Sequence, residues 1–113
     1  KARPRTTRAG GVAARFEQQA TRFADRVRDL RQAPATAGFL PELDRLDIDL
    51  GAFEDRLINA SELATGVDKT RLNALAERIA NARPALVRAR KALSTGNVRA
   101  YQQALEDLEG CCR

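Results

Sequence analysis

Apolar residues recur three and four positions apart along most of this chain. Such spacing places them on one face of an α-helix, because the helix has 3.6 residues per turn. The pattern predicts long helices over residues 11–32, 41–65 and 69–95, and a short helix over 98–109. Because short loops force neighbouring helices to run antiparallel, we expect an all-α fold: an up-down antiparallel helical bundle, with three long helices plus a short fourth C-terminal helix.

Each predicted helix carries one apolar stripe, and we expect the four stripes to share a core. The residues predicted to point inward are Val12, Phe16, Ala20, Phe23, Val27 and Leu30; Leu43, Leu46, Leu50, Phe53, Leu57, Ala60 and Ala64; Leu72, Leu75, Ile79, Ala82, Leu86, Ala89 and Leu93; and Val98, Tyr101, Leu105 and Leu108. Burial of these side chains supplies the stability of the fold, at roughly 25 cal/mol per Å² of apolar surface.

Glycine, proline and short polar residues mark the predicted helix ends. Pro41 suits the first turn of the second helix, and Gly66 is expected to close that helix in the left-handed conformation. Asp68 is predicted to cap the third helix, which Gly96 ends, and Asn97 is predicted to cap the fourth.

Pro84 lies inside the third predicted helix, where it removes one backbone hydrogen bond. The apolar stripe keeps its phase across this proline, so we expect a single kinked helix. A break near residues 82–84 is the alternative.

Net charge changes sign from one segment to the next. Residues 1–32 contain nine Lys and Arg against three Asp and Glu, residues 33–66 two against seven, residues 67–96 seven against two, and residues 97–113 two against three. Attraction between opposite charges therefore predicts that the acidic second helix lies between the basic first and third helices.

The composition predicts one globular domain at residues 9–110, preceded by a disordered basic arm at 1–8 and followed by a tail at 111–113. Within the tail, Cys111 and Cys112 are expected to be an exposed pair without a folding role; an intermolecular disulfide or a lipid attachment is the alternative. The chain contains no Met and is rich in Ala and Arg, which favours a piece of a longer bacterial protein.

No sequence motif indicates catalysis or cofactor binding. The chain has no His, no glycine-rich phosphate loop and no pair of cysteines at metal-ligand spacing. Asp44, Asp47 and Asp49 lack the remaining ligands of a calcium loop and diverge on a helix. We therefore expect a protein that is not an enzyme and has no cofactor, metal or small-molecule substrate.

Protein binding is the favoured function. The fourth helix is too short to cover the long helices, which predicts a groove beside residues 54–82. Ile48, Ile58 and Leu63 fall outside the apolar stripe of the second helix and are predicted to seat a partner helix or a second copy of the chain. Val87, which is outside the stripe of the third helix, is expected to contact the fourth.

The alternative is an adaptor for an anionic surface, either nucleic acid or acidic phospholipid. Its predicted contacts are the basic residues of the arm, the first helix and the end of the third: Arg3, Arg5, Arg8, Arg15, Arg22, Arg83, Arg88, Arg90 and Lys91. Aromatic side chains available to stack on bases are few, because only Phe39 and Tyr101 are candidates beyond the phenylalanine stripes.

Overall fold

The computed structural model describes residues 11–113, of which none lies in a β-strand. The helices are α1 (Gly11–Gln32), α2 (Leu40–Leu63), α3 (Gly66–Ser94) and α4 (Val98–Cys112), with a one-turn 3-10 helix (Ala37–Phe39) before α2. The prediction of an all-α bundle with three long helices and a short fourth is confirmed. The basic arm predicted at residues 1–8 lies outside the described residues.

Ion pairs between helices reveal the direction in which each helix runs. Glu17 near the start of α1 binds Arg71 near the start of α3, so these two helices are parallel. Asp44 near the start of α2 lies 2.7 Å from Arg90 near the end of α3, so α2 and α3 are antiparallel. With α4 folding back along α3, the topology is up-down-up-down.

The short α4 covers only part of the bundle. It has 15 residues against the 29 of α3, which correspond to about 22 Å and about 44 Å at 1.5 Å per residue. Its last residue, Cys112, comes within electrostatic reach of Arg78 in the middle of α3. Within residues 11–113, the half of the bundle nearest the α2–α3 corner is therefore built from three helices.

The neighbours of α2 differ from the prediction in one respect. α2 packs closely along α3, whereas α1 packs mainly on α4 and has few close backbone approaches to α2. Phe16 and Phe23 of α1 reach Phe53 of α2, with ring centroids 5.7 and 5.3 Å apart. Because these rings occupy the space between the two backbones, α1 meets α2 through side chains.

The predicted stripes form the core. Its largest side chains with almost no exposed surface are Leu43, Leu46, Leu50, Phe53, Leu57, Leu72, Leu75, Ile79, Leu86, Tyr101, Leu105 and Leu108. Fully burying one such side chain contributes about 2 kcal/mol. α3 presents this apolar surface to α2 on one side and to α4 on the other.

Three valines are exposed where the sequence predicted burial. Val12 and Val98 are 40% and 52% exposed; both lie in the first turn of a helix, where too few neighbours remain to cover them. Val87 was predicted to contact the fourth helix but is 57% exposed. It lies instead in a shallow cleft between α2 and α3, beside Asp44 and Arg90.

Gly66 is left-handed as predicted, but it does not close α2: α2 ends at Leu63, and Gly66 is the first residue of α3. Gly66 and Gly96 have φ values of +62° and +76°, a region that other residues rarely adopt. Asn97 caps α4 by accepting a hydrogen bond from the Ala100 amide at 3.1 Å. The prediction that Asp68 caps the third helix is wrong: α3 begins at Gly66, so Asp68 lies within its first turn, where its charge favours the helix dipole.

Pro84 does not break α3, which is one helix from Gly66 to Ser94 as predicted. The C-terminal cysteines differ from their prediction, because α4 continues through Cys112 and leaves that side chain 1% exposed. Cys112 extends the stripe of Leu105 and Leu108 by one further turn, which is why it is buried. Burial raises the pKa of its thiol to about 12, while Cys111 is only partly buried.

Tyr101 provides a test of the core. Its side chain is fully buried, and its hydroxyl has no hydrogen-bond partner among the described residues. We predict that Tyr101→Phe leaves the free energy of unfolding unchanged or raises it by up to about 1 kcal/mol, because the ring stays while an unsatisfied polar group is removed. Urea unfolding followed by circular dichroism measures this, with Tyr101→Ala as a control expected to lose about 3–5 kcal/mol. A loss above about 1 kcal/mol for the Phe variant would mean that the hydroxyl is hydrogen-bonded in solution.

Candidate functional site

The three residues predicted to seat a partner are exposed but do not form one surface. Ile48, Ile58 and Leu63 are 70%, 41% and 86% exposed. Each residue of a helix is rotated by about 100° from the one before, so Ile58 and Leu63 point about 140° apart around α2. Ile48 points almost directly away from the core stripe. The structure therefore does not bring the three side chains together.

Two exposed apolar residues flank the α2–α3 corner, of which the sequence analysis named Leu63 and missed Val67. Leu63 is the last residue of α2, and Val67, the second residue of α3, is 73% exposed. Val12 lies at the same end of the bundle, because α1 and α3 are parallel and begin there. We call Val12, Leu63 and Val67 the apolar end. The sequence could have indicated the apolar end through Val67, because this residue follows the corner glycine directly and belongs to no core stripe.

Most of the basic residues predicted to bind anions at the end of α3 already have acidic partners. Arg83 lies 3.3 Å from Asp47 and 3.0 Å from Glu54, while Arg90 pairs with Asp44. Arg88 likewise pairs with a carboxylate, on α4. Lys91 is exposed and, within the described part of the chain, forms no such pair. This end of α3 is thus largely neutralised.

Gly51 explains how Arg83 reaches two acids at once. A Cβ at position 51 would lie 3.2 Å from Nη1 of Arg83, so the missing side chain leaves space for the guanidinium against α2. Glycine inside a helix costs roughly 1 kcal/mol relative to alanine. A side chain at position 51 would require the guanidinium of Arg83 to shift by a few tenths of an ångström.

The basic residues of α1 form a different site. Arg15 and Arg22 are exposed, and neither has an acidic partner within 4.0 Å in residues 11–113. Arg22 faces Arg56 of α2 across a cleft of about 330 Å³, which Gln19, Phe23 and Arg26 also line. We call Arg15, Phe16 and these cleft residues the α1–α2 groove. The sequence analysis missed Arg56 because it belongs to the acidic segment.

The aromatic rings in the α1–α2 groove are partly covered by arginines. The guanidinium of Arg26 lies 5.6 Å from the ring centroid of Phe23, and that of Arg56 lies 5.8 Å from the centroid of Phe53. Arg26 also pairs with Asp49 at 3.1 Å. The groove therefore has an aromatic floor and a positively charged rim.

Glu109 links α4 to α1 and to the end of the chain. Its carboxylate accepts hydrogen bonds from Arg31 at 2.6 Å and from Arg113 at 2.7 Å, and its side chain is 11% exposed. The hydrogen bond from Arg113, followed by that from Arg31, lowers the pKa of the Glu109 carboxyl below its ordinary value of 4.5.

Neither a metal site nor a membrane span is found in residues 11–113. No three Cys, Asp or Glu side chains in this range are grouped so that they could hold a metal ion; Asp44, Asp47 and Asp49 pair with arginines instead. None of the helices described is both long and apolar enough to cross a bilayer.

Comparison with protein-family models, curated proteins and solved structures finds no match to this chain.

The Glu109 pairs predict a pH-dependent stability. Because the folded-state pKa is lowered, the stabilisation is complete above the ordinary carboxyl pKa and is lost as the pH falls through the lowered value. We expect Glu109→Gln to reduce the free energy of unfolding by about 1–2 kcal/mol at neutral pH and by less at about pH 3. Urea titrations at both pH values measure the difference.

Glu106→Gln is the matched control, because Glu106 is 59% exposed and lies 3.9 Å from Arg31. We expect it to cost less than about 0.5 kcal/mol. A loss for Glu109→Gln that is equal at both pH values would contradict an ionic origin.

Proposed function

We propose that this chain is a non-catalytic helical-bundle domain that binds protein, docking a partner helix or a second copy at its apolar end. The observation that carries the proposal is the exposure of Leu63 and Val67, at 86% and 73%. Only three residues separate them, and they flank one helix corner. Both side chains leave apolar surface in water at one corner, and burying such surface against a partner is favourable.

The position of this end in the fold supports the proposal. α4 stops near the middle of α3, so that among the described residues no fourth helix lies beside the apolar end. Lys69 closes α2 locally by donating a hydrogen bond from Nζ to the Ser61 carbonyl at 2.7 Å. The corner that presents Leu63 and Val67 is thereby held in place before any partner arrives, which limits the entropy lost on binding.

Paired aspartate substitutions test the docking end. We expect Leu63→Asp with Val67→Asp to abolish retention of the partner while changing the free energy of unfolding by no more than about 1 kcal/mol, because both side chains are already in water. Proteins retained from a bacterial lysate by the unmodified chain would be identified by quantitative mass spectrometry. The strongest would then be purified and titrated against each variant, and sedimentation velocity would measure self-association.

The matched control is Ile48→Asp with Val87→Asp. These residues are 70% and 57% exposed and lie away from the corner, so binding should be kept. If the corner variant binds the purified partner and self-associates as the unmodified chain does, the apolar end is not the docking surface.

Binding to an anionic surface is the second candidate. Arg15 and Arg22 support it, because they are exposed and lack acidic partners in the described range. In the sequence they follow an arm containing Lys1, Arg3, Arg5 and Arg8 and no acidic residue within residues 1–10. The pairing of Arg83, Arg88 and Arg90 with carboxylates reduces what the end of α3 would add to it.

Heparin, duplex DNA and acidic liposomes test this second candidate. If it is right, at least one of them retains the chain at low salt, and affinity falls steeply with salt because phosphate contacts release counterions. Replacing Arg3, Arg5 and Arg8 with Gln should weaken retention, whereas the matched replacement of the exposed Arg45, Arg78 and Arg99 with Gln, which removes the same charge, should have a smaller effect. Failure of all three surfaces to retain the chain removes this candidate.

A further inference from the structure

The α1–α2 groove has an apolar floor that no other helix of the described chain covers. Phe16 and Phe23 are packed against the core but remain partly exposed along this seam. The backbones of α1 and α2 make few close approaches here, since the phenyl rings hold them apart. The result is a shallow trough between two helices, open to a side chain from outside.

The rim of the groove is positively charged beyond what the chain itself neutralises. Arg22, Arg26 and Arg56 line the cleft, and Arg15 precedes Arg22 by seven residues and so lies on the same face of α1; of these four, only Arg26 has an acidic partner among the described residues, Asp49. Arg15, Arg22 and Arg56 have none within 4.0 Å among residues 11–113. A ligand that brings carboxylates to this rim would gain both charge pairing and bidentate hydrogen bonds.

The dimensions of the groove suit a short helix. Arg15 and Arg26 are 11 residues apart on α1, which corresponds to about 16 Å or three turns. An amphipathic helix of that length places apolar residues at i, i+3, i+4 and i+7 against the floor. Acidic residues beside that stripe would then face the arginines on both sides.

Other occupants fit less well. A nucleic acid base stacks on a whole aromatic face, but Arg26 lies over the ring of Phe23 and Phe53 is fully buried. An aliphatic side chain needs only the parts of Phe16 and Phe23 that remain exposed. The chain's own basic arm has the same charge sign as the rim. A second copy has fewer acids to offer from α2, because Asp44, Asp47, Asp49 and Glu54 already pair with arginines inside the chain. Only Glu42, Asp55 and Glu62 of that helix remain without such a pair in the described part of the chain.

We infer that the α1–α2 groove binds an acidic amphipathic helix of at least three turns from a partner protein. This inference rests on the proposed function, to which it adds the location of a second contact and the chemistry of the partner. The apolar stripe of the bound helix packs on Phe16 and Phe23. Its carboxylates pair with Arg15 and Arg22 on one side and with Arg56 on the other.

Three synthetic stapled helices of 14 residues test the inference. The first has leucine at the four stripe positions and glutamate elsewhere, the second replaces glutamate with lysine, and the third has the composition of the first in an order without an apolar face. Fluorescence anisotropy measures the affinity of each for the full chain. We expect the first to bind at least about tenfold more tightly than the others, because only it matches both floor and rim.

Variants and amide chemical shifts locate the binding site. The double variant Arg22→Glu with Arg56→Glu should bind the first peptide at least about tenfold more weakly than the unmodified chain does. In the unmodified chain, the amide chemical-shift changes caused by this peptide should be concentrated on α1 and α2. The matched control is Arg78→Glu with Arg99→Glu, which makes the same change in charge at exposed arginines elsewhere. That control should change the affinity no more than about threefold, by long-range charge alone.

Several outcomes would overturn the inference. Equal binding of the ordered and disordered acidic peptides would mean a simple anion patch, and tighter binding of duplex DNA through Arg22 and Arg56 would mean a nucleic-acid surface. Self-association that is lost in the Arg22 and Arg56 variant would identify a second copy as the occupant. If no peptide binds while Leu63 and Val67 still govern retention of the natural partner, this inference fails and the proposed function stands.

Discussion

Burial of the apolar stripe of α3 is the interaction on which the rest of the structure depends. α3 is the longest helix, and it packs against α2 on one side and α4 on the other. Leu72, Leu75, Ile79 and Leu86 on this stripe have almost no exposed surface. Ion pairs at the periphery are partly exposed and individually worth at most about 1 kcal/mol, so they select neighbours and register while the stripe supplies the free energy.

The limited length of α4 then determines where the apolar end arises. α4 covers α3 from the α3–α4 corner to about its middle, and Cys112 closes that contact. Beyond this point the described part of the bundle has three helices, one of which, α1, is held off α2 by phenyl rings. The apolar end follows from the mismatch in helix length. The α1–α2 groove follows from the phenyl rings between its two helices.

Much of the fold follows from the sequence because it depends on periodicity and corner chemistry. The stripe through Leu50 and Leu75, the left-handed glycines at the corners and the Asn97 cap are local patterns, and each is found as expected. What the sequence could not provide is which neighbour covers a given turn. Val12 and Val98 continue the apolar stripes of their helices, but they lie at ends of the bundle where no neighbour covers them. Cys112 also continues the stripe of its helix and is buried, although the composition predicted an exposed tail at this position.

The candidate surfaces were harder to predict than the fold. The net charge of a segment does not indicate on which face of the helix each charged residue lies. Residues 33–66 carry a net negative charge, yet Asp47 and Glu54 are seven residues apart and so share the face that meets Arg83 of α3. Arg56 follows Glu54 by two residues and is rotated about 200° from it, toward α1. Asp44, Asp47 and Glu54 of α2 therefore pair with arginines of α3, whereas Arg56 of α2 joins Arg22 across the groove. A segment that is acidic in sum thus contributes to a basic surface, and the rotation of each residue, more than the net charge, decides which partner the surface attracts.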